Sequence, residues 1–160
     1  ITGGKWTTYR KIAEDIIDKA ITVGKLPTKE CKTEHIAIHG NLKTNTQDRA
    51  NHLYIYGTDI PKIIALQKED PRLKEKLHPD YEYTMAEVVW AIRYEMARTI
   101  DDILYRRVRL LFLDARAAVA VADKVAKELA KELGHNDEWV ENQITTFKTL
   151  AKGFLLAEYQ

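Results

Sequence analysis

Thr84-Met85-Ala86-Glu87-Val88-Val89-Trp90-Ala91-Ile92-Arg93-Tyr94-Glu95-Met96-Ala97-Arg98-Thr99-Ile100-Asp101-Asp102-Ile103 is the stretch that decides the fold. Met85, Val89, Ile92, Met96, Ile100 and Ile103 recur at three and four residues, which is the period of one helical face. The pattern predicts a central helix running without interruption through the whole stretch. Thr84 followed three residues later by Glu87 is a capping-box pattern and sets where that helix starts. Glu95, Arg98, Asp102 and Arg106 share the same spacing, so they are expected on one face with alternating charge. A pair of carboxylates on one helix invites a metal reading, but a di-metal helical site wants Glu-x-x-His pairs, and no histidine lies between His78 and His135. Charge pairing at helical spacing accounts for the four residues, and Arg98 on such an exposed face is expected to contribute little.

Downstream, Asp114 is placed to open a helix whose Ala118, Ala122, Val125, Leu129 and Leu133 face the core, with Gly134 placed to end it. Asn136, Asp137 and Glu138 begin a last helix carrying Val140, Ile144, Phe147, Ala151 and Phe154 on its apolar side. Upstream, helical signals run from about Thr46 to Tyr56. They resume at Thr58, where Thr58 or Asp59 can cap and Pro61 suits a first turn. Pro71 and Pro79 punctuate a polar stretch containing Lys74-Glu75-Lys76. The first helix is expected from about Thr8 to Val23, burying Ile12, Ile16, Ala20 and Val23 and stopped by Gly24 and Pro27. Between Pro27 and Thr46 the helical pattern weakens. Glu34-His35-Ile36-Ala37-Ile38-His39-Gly40 alternates instead, predicting one short extended segment near 34–39. The expectation is an all-α, helical bundle-like fold with one core.

Bulk properties narrow the function. The 160 residues are 45% hydrophobic and 31% charged, and 25 basic against 24 acidic residues leave a formal net charge of +1. Such a balance provides no global field to gather nucleic acid, so any anion site must be local. Cys31 is the only cysteine, which excludes an internal disulfide and any multi-cysteine zinc site. Glu30 and Glu34 disfavour a thiolate there. His35 and His39, four residues apart on a strand, would be separated by about 13 Å, too far to share a metal, and no set of four ligands is evident. No run reaches the roughly 20 apolar residues of a membrane span. Trp6, Trp90 and Trp139 suit core or interface anchors.

At the other end of the chain lies Ile1-Thr2-Gly3-Gly4-Lys5-Trp6-Thr7-Thr8-Tyr9-Arg10. Two glycines give the backbone angles closed to other residues and let a ligand come close. The helix that follows turns its first amide N–H groups toward them, and Lys5 adds a mobile charge at the positive end of the helix dipole. Read from the residues alone, this is an anion or cofactor contact, or an ordinary tight turn with a solvated lysine.

Gly3-Gly4-Lys5-Trp6-Thr7-Thr8-Tyr9-Arg10-Lys11-Ile12-Ala13-Glu14-Asp15 resembles the segment that ends the flavin domain of FAD-dependent glycerol-3-phosphate dehydrogenases and opens their C-terminal helical domain. Far away and in the right order, three further stretches are similar to the signature of that same domain. They are Glu87-Val88, then Ala91-Ile92-Arg93-Tyr94-Glu95-Met96-Ala97, then Thr99-Ile100-Asp101-Asp102-Ile103-Leu104-Tyr105-Arg106-Arg107. The likeness covers most of the chain and is vaguest from Pro27 to Pro79. It implies residues 1–10 as the tail of the flavin-domain motif and 11–160 as the C-terminal helical domain. It also implies FAD contacts from Gly3, Gly4, Lys5, Trp6 and Thr7, with Lys5 as the catalytic charge. The implied reaction oxidises glycerol 3-phosphate to dihydroxyacetone phosphate and passes the electrons to a quinone. The implied partners are the remaining flavin domain of the same protein and a membrane surface, at the inner face of the cell membrane on its cytoplasmic side, with oligomers open and Arg106 and Arg107 free to brace a neighbouring domain. The chain carries no Gly-x-Gly-x-x-Gly after a strand and begins without methionine, so it reads as the C-terminal part of a longer enzyme, inactive alone. The alternatives are a non-catalytic helical interaction or dimerisation module, and the related glycerol-3-phosphate oxidase.

Overall fold

A computed structural model describes residues 3–41 and 50–155, and it is all-α. The structure divides after Asn41 into two compact units.

The first unit is built on α1, Tyr9–Gly24. The helix is amphipathic in pattern, yet none of its residues is buried. Ile12 and Ile16 are half-buried, while Ala20 and Val23 are exposed, Val23 to 72%. The expected buried face therefore has no core beneath it within this unit. Lys25, at φ 51°, ends the helix in the left-handed conformation, and the Leu26 N–H folds back to the Ile21 carbonyl at 3.0 Å. The extended segment expected near 34–39 is not a strand. Thr33–His35 form a single 3-10 turn, and Ile36 follows with extended dihedrals but no ladder partner among the described residues. Ile36 and Ile38 stand exposed. A lone alternating run cannot satisfy its backbone as a sheet does without a second strand beside it.

The second unit holds the hydrophobic core. Of the helix expected over Thr46–Tyr56, residues 46–49 lie outside the described residues, and His52–Asp59 form 3-10 helix instead. Gly57, at φ 53° and ψ −120°, kinks that segment. Asp59 then precedes α2, Ile60–Glu69. It makes no capping hydrogen bond and instead accepts from Lys62 Nζ at 2.9 Å. After a short 3-10 turn, Pro71–Lys74, an isolated antiparallel bridge pairs Lys76 with Thr84. The capping box expected at Thr84 and Glu87 is formed and opens α3, Met85–Tyr94.

The predicted central helix does not continue. It stops at Tyr94, and Met96, placed by periodicity in the apolar stripe, takes φ 60° and is 76% exposed. The Ala97 N–H returns to the Ala91 carbonyl at 3.0 Å. A second start follows, because the Thr99 hydroxyl accepts the Asp102 N–H at 3.3 Å and Asp102 Oδ2 accepts the Thr99 N–H at 3.2 Å. These are the two reciprocal bonds of a capping box. The turns beyond are a π-helix, Asp102–Arg107, closed by the Val108 N–H on the Ile103 carbonyl at 2.9 Å. Glu95, Arg98, Asp102 and Arg106 accordingly do not share one helical face. Arg98 Nη1 donates to the carbonyls of Ile92 at 3.1 Å and Ala97 at 2.7 Å. Arg107 donates to the Asp102 carbonyl at 2.7 Å and to the Glu95 carbonyl. The charge pair that survives at helical spacing is Arg106 with Asp102, at 3.6 Å.

Arg109, at φ 62°, leads into α4, Leu110–Leu113. Asp114 then caps α5, Ala115–Leu133, accepting the N–H groups of Arg116 and Ala117. Gly134 ends it at φ 76°. Ala118, Ala122, Val125 and Leu129 are fully buried as expected, and Leu133 is half-buried. Asn136 caps α6, Asp137–Lys152, by accepting the Trp139 N–H. Val140, Phe147 and Ala151 are buried, Ile144 is half-buried and Phe154 lies at the edge, exposed. Packed on by α3, α4 and α6, α5 is the spine of this unit, and α2 packs on α3. Trp90 is buried and Trp139 half-buried against this core, whereas Trp6 is 86% exposed and is no core anchor.

Leu129→Ala is expected to cost about 2–5 kcal/mol, the range for a fully buried leucine, whereas Val23→Ala stays within about 0.5 kcal/mol as a surface change. Urea unfolding of both variants checks this, and equal losses would contradict the assignment of the core. Arg98→Met removes two charge-assisted bonds to carbonyls at the helix break and is expected to cost about 2 kcal/mol. A loss indistinguishable from zero in the same assay would return Arg98 to the status of a surface ion pair.

Candidate functional site

Gly3 and Gly4 precede α1 with φ of +82° and +140°, angles that L side chains rarely adopt. Beyond the dihedral demand, a Cβ at Gly4 would sit 3.4 Å from Ile12 Cδ1, while one at Gly3 would meet nothing within 4 Å. The backbone at Gly3 thus faces open space. The Lys5 carbonyl accepts the Thr8 N–H at 3.0 Å and the Thr8 hydroxyl at 3.3 Å, a turn that aims the mouth of α1 back along the glycines. The Lys5 side chain is exposed.

Of the five residues expected to form a site, Gly3, Gly4, Lys5 and Trp6 line one open cradle of about 340 Å³, and Thr7 does not line it. Tyr9, Ile12, Ala13 and Ile16 of α1 complete its wall. Trp6 stacks on Tyr9 with ring centroids 5.3 Å apart and planes at 27°. Tyr9 was legible as a neighbour, being three residues from Trp6 at the mouth of a helix. Chemically, the cradle offers two glycines without side chains, an aromatic pair, a mobile cation and the positive end of a 16-residue helix. That arrangement suits an anion or the electron-rich edge of a flat ring.

A larger apolar groove of about 700 Å³ runs along the adjacent face of α1, with Ile17, Ile21, Pro27, Ile36 and Ile38 in its lining. Tyr9 and Ala13 belong to both hollows. Arg10 ties the groove together, with Nη1 2.6 Å from Glu14 Oε2 and 3.2 Å from Thr33 Oγ1. Lys11 and Arg10 hold the Glu14 carboxyl down at about 2. Cys31 is exposed, 3.2 Å from Thr33 Oγ1 and 3.9 Å from Arg10 Nη1.

Around the π-helix lies a second charged cluster. Burial pushes the Asp102 carboxyl up, but the Arg98 N–H, the Thr99 hydroxyl and the charges of Arg107 and Arg106 outweigh it and hold the group below the usual carboxylate range. Every one of these contacts braces the chain, and the cluster opens on none of the cavities described above. Among the described residues, no group of histidine, cysteine and carboxylate side chains could hold a metal ion, His35 and His39 included. No helix among them is long and apolar enough to cross a membrane.

Comparison with known proteins bears on this geometry. The model of the C-terminal domain of alpha-glycerophosphate oxidase matches residues 1–140. A probable mitochondrial glycerol-3-phosphate dehydrogenase of Caenorhabditis elegans is 31% identical over 93% of this chain and 23% of its own length. The mitochondrial glycerol-3-phosphate dehydrogenase of Macaca fascicularis is 32% identical over 99% of this chain and 24% of its own. A probable mitochondrial enzyme of the same name from Dictyostelium discoideum is 32% identical over 95% and 26%. No solved structure matches. The chain spans about a quarter of the length of these relatives. With the cradle at Gly3 to Trp6 and the whole of α3 to α5 inside the matched span, the chain belongs to the family of the C-terminal domain of alpha-glycerophosphate oxidase.

Proposed function

We propose that this chain is the C-terminal portion of an FAD-dependent glycerol-3-phosphate dehydrogenase that passes electrons to quinone at a membrane surface. In this reading residues 1–10 are the tail of the flavin-domain motif and 11–160 the helical domain. The observation that carries it is the cradle at the mouth of α1, where Gly3, Gly4, Lys5 and Trp6 converge inside a span shared with enzymes named for that substrate. The residues fit a flavin. Two positive-φ glycines leave the backbone open to close approach, the Trp6–Tyr9 pair is flat and apolar, and Lys5 brings positive charge to the same side.

Bound FAD supplies the hydride acceptor through which C2 of glycerol 3-phosphate is oxidised to dihydroxyacetone phosphate. The part this chain plays is electrostatic. Gly3 and Gly4 let backbone amides approach the electron-rich edge of the ring, and the first turn of α1 points its N–H groups the same way. Lys5 places a full charge where negative charge grows during the reaction, and donors fixed before reaction stabilise that charge without reorganising. Trp6 and Tyr9 form a stacked, apolar side of the cradle, with Thr7 between them in the motif. The 160 residues supply one wall of such a site and are inactive alone. The rest of the enzyme supplies the remaining walls and the peripheral attachment to the membrane that carries the quinone.

Lys5→Met in an enzyme carrying this chain is expected to slow flavin reduction by glycerol 3-phosphate about a hundred- to a thousandfold, the effect of removing one preorganised contact of this kind. The melting temperature should stay unchanged, because the Lys5 side chain is exposed. Stopped-flow absorbance under anaerobic conditions measures the rate, and an unchanged rate would make Gly3-Gly4-Lys5 an ordinary helix entry. The family's description as an oxidase favours one second reading. Peroxide formation from oxygen, in place of reduction of a quinone analogue, would select it.

A further inference from the structure

The proposed chemistry leaves unused a buried polar cluster in the second unit, at the start of α3. The Glu87 side chain is 0% exposed. Its Oε2 accepts the Thr84 N–H at 2.7 Å and the Thr84 hydroxyl at 3.3 Å, and it faces His52 Nε2 at 3.1 Å. Its Oε1 accepts the Tyr56 hydroxyl at 3.3 Å. Thr84 and Tyr56 are neutral donors. Among the described residues, the imidazole is the partner of Glu87 able to carry a full positive charge, and the N-terminal end of α3 adds only a partial one. A carboxylate withdrawn from water needs such a partner, and losing the partner's charge destabilises the contact.

The cluster joins two elements. His52 and Tyr56 belong to the 3-10 segment His52–Asp59, whereas Thr84 and Glu87 belong to the capping box of α3. The His52 side chain is 26% exposed, so water reaches the ring that the carboxylate holds. Tyr83 meets the imidazole edge-on with centroids 6.3 Å apart. The remaining charged groups that face it are Glu82 and Lys76, paired with each other at 2.6 Å on the bridge that precedes α3.

We propose that His52 and Glu87 form a proton-operated latch: with the imidazole protonated, the segment His52–Asp59 is fastened to the first turn of α3, and with it neutral the segment opens locally while the helical core stays folded. The direction follows from the environment. The hydrogen bond to Glu87 raises the proton affinity of His52 above its ordinary value of 6.5, against the opposing effect of partial burial, and Glu82 adds to the rise while Lys76 subtracts. A group whose pKa is raised on folding contributes stability that is complete below the unfolded value and is lost as pH rises through the folded value. The latch is therefore shut in mildly acidic solution and opens toward the alkaline side.

Two measurements on the 160-residue chain test it. The His52 ring, followed by NMR, should titrate with a midpoint above 6.5. Amide exchange of Leu53 to Tyr56, corrected for the intrinsic pH dependence of exchange, should show protection falling as pH rises from below 6.5 through the ring's measured midpoint, by roughly tenfold for each unit the midpoint is raised. Amides of α5 should keep their protection over the same range. His52→Gln retains an Nε2 donor without a titrating group and should make protection of Leu53 to Tyr56 independent of pH. A His52 midpoint at or below 6.5 would overturn the latch. So would the same pH dependence in His52→Gln, or parallel loss of protection in α5, which marks global unfolding instead. Should His52→Gln fail to fold, the ring titration and the α5 comparison in the native chain still decide.

Discussion

Arg98 and Arg107 hold the chain where the central helix stops, and the layout of the larger unit depends on that stop. Both arginines spend their donors on backbone carbonyls, those of Ile92 and Ala97 for one and those of Glu95 and Asp102 for the other. The carbonyls of Ile92 and Glu95 lie at the C-terminal end of α3, where intrahelical partners are missing, and those of Ala97 and Asp102 lie in the connection and at the start of the π-helix; guanidinium donors satisfy all four. Met96 can then remain at a positive φ that costs a side-chain-bearing residue of order 1–3 kcal/mol. The change of direction brings the π-helix against α4 and α4 against α5, whose alanines at 118, 122 and 126 are fully buried. Small side chains there let the helices that cover α5 approach it closely.

The first unit obeys a different rule. It has an amphipathic helix but no buried residue among those described, so its apolar groups line hollows instead of a core. Electrostatics organise it locally: Arg10 links α1 to Thr33 and Glu14, and the Thr8 bonds to the Lys5 carbonyl fix the turn. A unit of this kind is well suited to presenting a surface and poorly suited to standing as an independent fold, because stability at this size ordinarily needs a disulfide, a metal or a neighbour. Cys31 has no partner cysteine in the sequence.

How much was legible in the sequence follows from how local each signal is. Asp114, Gly134 and Asn136 each act through backbone groups within a few residues, and α5 starts and stops, and α6 starts, where those residues place them. The capping box at Thr84 and Glu87 is local in the same sense. Periodicity misled at Met96, since spacing records where an apolar residue would sit only if the helix continued. A competing local signal was present in Thr99 and Asp102, a second capping pattern three residues apart inside the supposed helix. Arg107 reaching back to Glu95 is twelve residues distant and leaves no periodic trace. The cradle was legible through its two glycines and its lysine, because close approach and positive φ are demands on residue type. The exposure of Trp6 was not, since a tryptophan suits an interior and a ligand site equally well.

Burial of Glu87 shows how one residue can serve both levels of the argument. As the third helical residue of α3 it returns to the Thr84 N–H, and the sequence pattern alone places it there. An exposed glutamate would suffice for that bond. Here the same carboxylate is enclosed and also takes His52 and Tyr56, so the start of α3 and the 3-10 segment before α2 are fixed by one charge. A local cap thereby becomes a tertiary joint. Its strength depends on the protonation of a partly exposed imidazole, and that dependence makes it a joint that responds to pH near neutrality.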